Sequence, residues 1–110
     1  MIDWERIKLL CDDVGPEDFE DVVEVFFDEV TGMTDSLRVA PNIDTLGADL
    51  HALKGSALNL GFITFSELCQ TGETLAGHGR AAEIDLRSIL ESFDLSMQAF
   101  REGMHEGAVA

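Results

Sequence analysis

Three long segments of this chain carry apolar residues at spacings that alternate between four and three. Such spacing places the apolar side chains on one stripe of an α-helix. The three stripes are Phe19, Val23, Phe26, Val30, Met33 and Leu37; Leu46, Leu50, Leu53, Ala57 and Leu60; and Leu86, Leu90, Phe93, Met97, Phe100 and Met104. No segment alternates apolar and polar residues over the length of a strand. The pattern predicts an all-α protein whose helices bury their stripes against one another.

Proline, glycine and capping residues mark where each helix should begin and end. The start signals are Pro16, Asn42 and the capping box of Thr64 and Glu67, and the stop signals are Gly15, Pro41, Gly61 and the turn Gly77-His78-Gly79-Arg80. Together they predict helices at about residues 3–13, 16–38, 42–60, 64–77 and 83–106. Four long helices joined by short turns predict an up-down-up-down antiparallel four-helix bundle, with the short N-terminal helix packed across it.

Length and charge limit the possible functions. The 110 residues, of which 45% are hydrophobic, fit a single domain (1–110) with one core. A net charge of −15 disfavours nucleic acid and anionic membranes as partners. No apolar run approaches the ~20 residues of a membrane span, so we expect a cytoplasmic protein. Cys11 and Cys69 lack metal-ligand spacing and are expected to be small buried hydrophobic residues.

One histidine lies on the polar side of the third predicted helix. At roughly 100° per residue, His51 is about 130° from the centre of the apolar stripe and should face solvent. Its neighbours on that face are Asp44, Gly47, Ala48, Lys54, Gly55 and Leu58. A glycine inside a helix costs roughly 0.5–1 kcal/mol relative to alanine. Two of them beside one histidine suggest that another protein brings a reactive group up to the imidazole, although both could instead permit close helix packing.

The chemistry of this face fits phosphoryl transfer only in part. An exposed imidazole is largely neutral near pH 7 and can attack phosphorus. Transfer also requires positive charge and a metal. The chain offers Lys54 one turn from His51, but no nucleotide-binding motif and no metal cluster in its sequence. The remaining groups must therefore come from a partner.

The motif His51-x-x-Lys54-Gly55-Ser56, followed by Leu60-Gly61, resembles the signature of histidine-containing phosphotransfer (HPt) domains, the shuttles of bacterial multistep phosphorelays. The resemblance extends from the second to the fifth helix and is most specific over residues 49–61. Cys69 and Glu73 also stand where the family has a cysteine and a glutamate. Gly72, in contrast, occupies a position that is usually apolar and larger, which leaves the local packing open.

The resemblance implies a role for each residue of this face. His51 would be the phosphoacceptor, Lys54 the cation that stabilises the phosphoryl group, and Gly55 the residue that clears the approach. The docking surface would include Asp44, Gly47, Ala48 and Leu58. A receiver domain would supply the phosphorylated aspartate and Mg²⁺, while this chain would bind no cofactor and no metal. Ser56 is assigned no chemistry and is expected to hydrogen-bond a helix carbonyl.

We therefore expect a stand-alone, monomeric phosphocarrier without kinase activity of its own. It would shuttle phosphoryl groups between receiver domains of a hybrid histidine kinase and of response regulators. An alternative is a helical interaction module that binds and inhibits a receiver or kinase without being phosphorylated. A domain cut from a larger histidine kinase and a metal-binding bundle are further alternatives. His78 is interpreted as a turn residue and His105 as having no role.

Overall fold

The computed structural model describes residues 2–105, which contain five α-helices and one short 3₁₀ turn. The helices are α1 (Trp4–Val14), α2 (Phe19–Val39), α3 (Ile43–Asn59), α4 (Ile63–Gly77) and α5 (Leu86–His105), and the 3₁₀ turn is Ala81–Glu83. Within this part of the chain there is no strand, only an isolated bridge between Ile2 and Phe62. The all-α prediction is confirmed. The predicted end of the last helix at residue 106, and the tail after it, lie outside the described residues.

Two predicted helix starts differ from the structure, that of α2 by three residues and that of α4 by one. Helix α2 begins at Phe19 rather than at Pro16, because residues 16–18 form a turn after Gly15, whose φ is 89°. Helix α4 begins at Ile63, and no side chain caps it. The capping box predicted at Thr64 therefore does not form, since Thr64 already lies inside the helix.

A third start is also displaced, from residue 83 to Leu86. The carboxylate of Asp85 accepts hydrogen bonds from the backbone N–H of Ser88 at 3.1 Å and from its hydroxyl at 2.8 Å. A carboxylate in this position satisfies a free N–H at the helix start. Asn42 caps α3 in the same way, as predicted, by accepting from the N–H of Asp44 at 3.0 Å. Gly61 follows α3 with φ at 69°, which confirms its predicted role after the helix end.

The α3 stripe is confirmed in full, but the stripes of α2 and α5 are only partly right. All five predicted residues of this stripe are buried, including Leu60, which directly follows α3. On the other two helices, Phe26, Met33, Leu86, Met97 and Met104 are half-buried, whereas Thr34, Ile89 and Ser96 are buried without having been predicted. On α5 the most deeply buried residues Ile89, Phe93, Ser96 and Phe100 themselves follow a 4-3-4 spacing, so the buried face is centred beside the predicted stripe rather than on it.

Close packing of α3 against α4 depends on two glycines. A Cβ on Gly72 would lie 2.6 Å from Leu50 Cδ1, and one on Gly47 would lie 2.8 Å from Ala76 Cβ. Both distances are too short for a side chain, so each glycine allows the neighbouring helix to approach. The unusual glycine at position 72 thus has a packing reason. The same approach brings the polar residues of α4 next to His51.

The N-terminal segment is fastened to the junction between α3 and α4. The N–H of Asp3 donates to the carbonyl of Gly61 at 2.8 Å, and the Trp4 ring stacks on Phe100 at 5.5 Å between centroids. Helix α1 also packs on α2 and α3. Within residues 2–105, no helix is both long and apolar enough to cross a membrane.

Candidate functional site

His51 stands on the outer side of α3, as predicted, with 67% of its side chain exposed. Its Nδ1 lies 2.7 Å from Oε1 of Glu73 on α4. An ionised carboxylate can only accept hydrogen bonds, so Nδ1 carries the hydrogen of the neutral ring. The lone pair is then on Nε2, which has no hydrogen bond to any other described residue.

Glu73 joins His51 to Lys54. Its second oxygen, Oε2, accepts a hydrogen bond from Lys54 Nζ at 2.9 Å, and the same ammonium donates to Gln70 Oε1 at 2.7 Å. Lys54 is accordingly only 21% exposed in its side chain. The Lys54 ammonium first, and His51 to a lesser degree, hold the pKa of the Glu73 carboxyl below its usual range. Glu73 therefore stays ionised, as its contacts require.

Three of the four predicted docking residues meet His51 at one open hollow of about 640 Å³. Asp44, Gly47 and Ala48 line it together with His51 and Glu73. Leu58, the fourth, is 50% exposed but does not line this hollow. The hollow lies along α3 on the side of His51 towards the start of that helix.

The two glycines near His51 differ in their surroundings. Gly55 has open space where a Cβ would stand, which is consistent with a cleared approach to the histidine. Gly47 is half-buried and contacts Ala76, so close helix packing explains its lack of a side chain. The interpretation of Gly47 as an access residue is therefore corrected, although it still lines the hollow.

The cysteines are free, and they differ in burial. Cys69 is completely buried, whereas Cys11 is half-buried, so the prediction of a buried residue is only partly right for Cys11. Burial raises the pKa of the Cys69 thiol to about 12, with Lys54 opposing the change slightly. This thiol is protonated and inert near neutral pH.

The other residues that the sequence analysis considered lie away from this cluster. Ser56 donates to Glu29 on α2 at 3.2 Å rather than to a helix carbonyl, which corrects that expectation. His78 lies in the turn after α4, as predicted, and His105 is exposed at the end of α5. Among the described residues, no group of three His, Cys, Asp or Glu side chains is placed to hold a metal ion.

Comparison with protein families matches residues 21–103 to the Hpt domain. The chain belongs to the Hpt domain family. The match runs from the first turn of α2 almost to the end of α5 and includes His51, Lys54 and Glu73. Comparisons with curated proteins and with solved structures gave no match. Hpt domains carry phosphoryl groups on histidine in phosphorelays, interact there with receiver domains, and act as phosphocarriers rather than as independent enzymes.

The structure adds two Hpt domain residues to the site that the sequence analysis did not assign. Gln70 and Glu73 both contact Lys54, and Glu73 also contacts His51. The sequence marked Glu73 only as a position shared with the family. A usable signal existed, because Gln70 and Glu73 are three residues apart and border the buried positions Cys69 and Gly72. The signal becomes informative only once it is known that α4 packs against α3, and the sequence pattern of one helix does not show this.

Proposed function

We propose that His51 is the phosphoacceptor of this Hpt domain and that the chain shuttles a phosphoryl group between receiver-domain aspartates. The observation that supports this most strongly is the arrangement of the His51 ring, whose Nδ1 is hydrogen-bonded to Glu73 while Nε2 is open to solvent. Within residues 2–105, His51 has a carboxylate hydrogen-bonded to its ring, and neither His78 nor His105 has one.

In this proposal the lone pair of Nε2 attacks the phosphorus of a receiver's aspartyl phosphate. The P–N bond forms as the P–O bond to the aspartate breaks, and the aspartate leaves as a carboxylate. The imidazole ring keeps its Nδ1 hydrogen and gains positive charge, which the Glu73 carboxylate stabilises. In the reverse reaction, the aspartate of a second receiver accepts the phosphoryl group from His51.

Lys54 would stabilise the charge on the phosphoryl oxygens. Its ammonium is held beside the histidine by Glu73 and Gln70, so it is already near the place where that charge arrives. To contact the phosphoryl group it exchanges one of these two hydrogen bonds. Gln70, which is neutral, is the less costly partner to release.

The partner in this proposal is a receiver domain, which contributes the aspartate and Mg²⁺. It would dock on the face formed by Asp44, Gly47, Ala48 and the exposed Leu58, with Gly55 leaving room for its approach. Because that face must be free during transfer, we propose that the chain acts as a monomer. We also propose a cytoplasmic location.

We also propose that α2 to α5 form the up-down-up-down bundle, with α1 part of the same domain. Side-chain contacts support alternating helix directions, because residues late in one helix contact residues early in the next. His51 contacts Glu73, whereas Lys54, further along α3, contacts Gln70, earlier in α4. Likewise Phe65 in α4 contacts Phe93, and Phe62, just before the start of α4, contacts Phe100, later in α5.

The test is transfer from a phosphorylated receiver in the presence of Mg²⁺. We expect the wild-type chain to acquire acid-labile phosphate and the His51→Gln variant to acquire none. Lys54→Ala should slow transfer by about 10- to 100-fold through lost charge stabilisation, with an unchanged circular dichroism spectrum. A His51→Gln chain that still acquires acid-labile phosphate would refute the assignment.

The same experiment distinguishes the phosphocarrier from the alternative of an inhibitory interaction module. An interaction module would bind the phosphorylated receiver and leave the phosphate on it. His105→Gln is a matched control, because it removes an exposed histidine outside the cluster and should transfer normally.

A further inference from the structure

A second surface lies between α2 and α5, away from the histidine. It is a groove of about 340 Å³ whose floor is formed by Phe19, Val23 and Phe27 from α2 and by Phe100 and Met104 from α5. No residue that lines this groove belongs to α3 or α4, the helices that carry His51, Lys54 and Glu73. The groove is therefore separate from the proposed phosphotransfer site.

The walls of the groove carry opposite charges. Glu20 and Glu24 line the wall formed by α2, and the exposed Asp21 and Asp28 continue the acidic surface of that helix. The wall formed by α5 presents Arg101. An occupant must therefore be apolar along its centre, basic along one edge, and not basic along the other.

We propose that this groove binds a cationic amphipathic helix from a partner protein. The floor runs along α2 from Phe19 to Phe27, eight steps of 1.5 Å or about 12 Å, which suits two turns of a bound helix. Apolar side chains at positions i, i+4 and i+7 of that helix would fill the floor. Its Lys or Arg residues would pair with Glu20 and Glu24.

Charge argues against other classes of occupant. At a net charge of −15, an anionic lipid surface or a nucleic acid would be repelled. A second copy of this chain would bring another acidic α2 close to the first. A basic helix gains both the apolar contact and the charge complementarity. Since the groove shares no residue with the His51 cluster, such a partner would anchor the Hpt domain while His51 remains accessible to a receiver.

The test is a titration with a 14-residue amphipathic helix that carries leucine on one face, lysine along one flank of that face and glutamine along the other flank, followed by NMR of the ¹⁵N-labelled chain. The expected result is a set of shift changes confined to α2 and α5. A second signal should come from the single tryptophan, because Trp4 stacks on Phe100 of the groove floor. The same peptide with glutamate in place of lysine should not bind.

Two charge reversals of equal size locate the binding. Glu24→Lys should weaken the binding of the basic peptide about fivefold, since it replaces an attraction by a repulsion. Glu67→Lys, at an exposed position on α4, changes the net charge equally and should weaken binding less than twofold. Equal effects of the two variants, or shift changes centred on α3 and α4, would overturn the proposal.

The oligomeric state supplies the remaining outcome. A dimer by light scattering that the Glu24→Lys change dissociates would show that a second copy fills the groove, and would also overturn the proposal. None of these readouts depends on phosphate, so failure here and failure of the His51 assignment are distinguishable.

Discussion

Glu73 determines what the histidine can do, because it hydrogen-bonds both His51 and Lys54. The position of His51 and of Lys54 on α3 does not depend on α4, but their orientation does. Without Glu73, however, the ring would be free to rotate and to exchange tautomers, and Lys54 would lose an anionic partner. We therefore regard Glu73 as a positioning residue.

Replacing Glu73 should alter the imidazole itself. In the wild-type chain we expect ¹⁵N NMR to show His51 in the tautomer with hydrogen on Nδ1, since the carboxylate can only accept. Glu73→Ala should shift the population towards a mixture with the Nε2–H form and slow phosphotransfer. Glu67→Ala, an exposed glutamate on the same helix, is the control and should change neither quantity. An unchanged tautomer in Glu73→Ala would remove Glu73 from the mechanism.

A second residue-scale prediction concerns a buried hydroxyl. Ser96 is fully buried, and its Oγ has no hydrogen-bond partner among residues 2–105, whereas the buried Thr34 donates to the carbonyl of Val30 at 3.0 Å. Ser96→Ala should raise the free energy of unfolding by about 1 kcal/mol, because an unsatisfied polar group is removed. Thr34→Val, which removes a satisfied hydroxyl, should give no such gain in urea denaturation. Destabilisation by Ser96→Ala would contradict this account.

At the scale of helices, the α3 and α4 pair is the element that builds the site. The sequence predicted the α3 stripe, the Asn42 cap and the exposure of His51, because each follows from local spacing. It did not predict that Gly47 packs on Ala76 or that Gln70 holds Lys54. Those facts depend on which helices pair and how closely, and one helix's periodicity carries no such information.

Adding a methyl group between these helices should therefore be costly. Gly72→Ala places a Cβ 2.6 Å from Leu50 Cδ1, and such overpacking costs about 1–3 kcal/mol of unfolding free energy. It should also slow transfer, since α4 carries Glu73. Gly32→Ala on α2 meets open space and should instead stabilise the chain by about 0.5–1 kcal/mol. The melting temperatures of the two variants test this prediction, and equal shifts of the melting temperature in both would contradict the packing argument.

On the scale of the whole molecule, the apolar spacing predicted the all-α class and the net charge disfavoured some partners, but neither predicted how distant segments contact one another. The contacts of the N-terminal segment join residues more than 50 positions apart. Asp3 donates a hydrogen bond to Gly61, and Trp4 stacks on Phe100. No local sequence pattern predicts contacts between residues so far apart in the chain. The starts of α2 and α4 were also hard to predict, since no side chain within residues 2–105 caps either helix.

The charge of the whole chain has a measurable consequence. With 22 acidic and 7 basic residues, the folded chain repels itself, and salt screens that repulsion. The melting temperature should therefore rise as sodium chloride is raised from about 10 mM to 150 mM, a range over which the Debye length falls from ~30 Å to ~8 Å. Sucrose at matched osmolality serves as the uncharged control. A melting temperature that falls with salt would show that the few ion pairs outweigh the net repulsion.

The central claim is that one nitrogen of one histidine carries the phosphoryl group. The most direct measurement is ¹⁵N and ³¹P NMR of the chain after it has been phosphorylated by a receiver. The account predicts a single P–N bond, at Nε2 of His51, with the hydrogen retained on Nδ1. Phosphate on Nδ1, on His78 or His105, or on no histidine at all would contradict it.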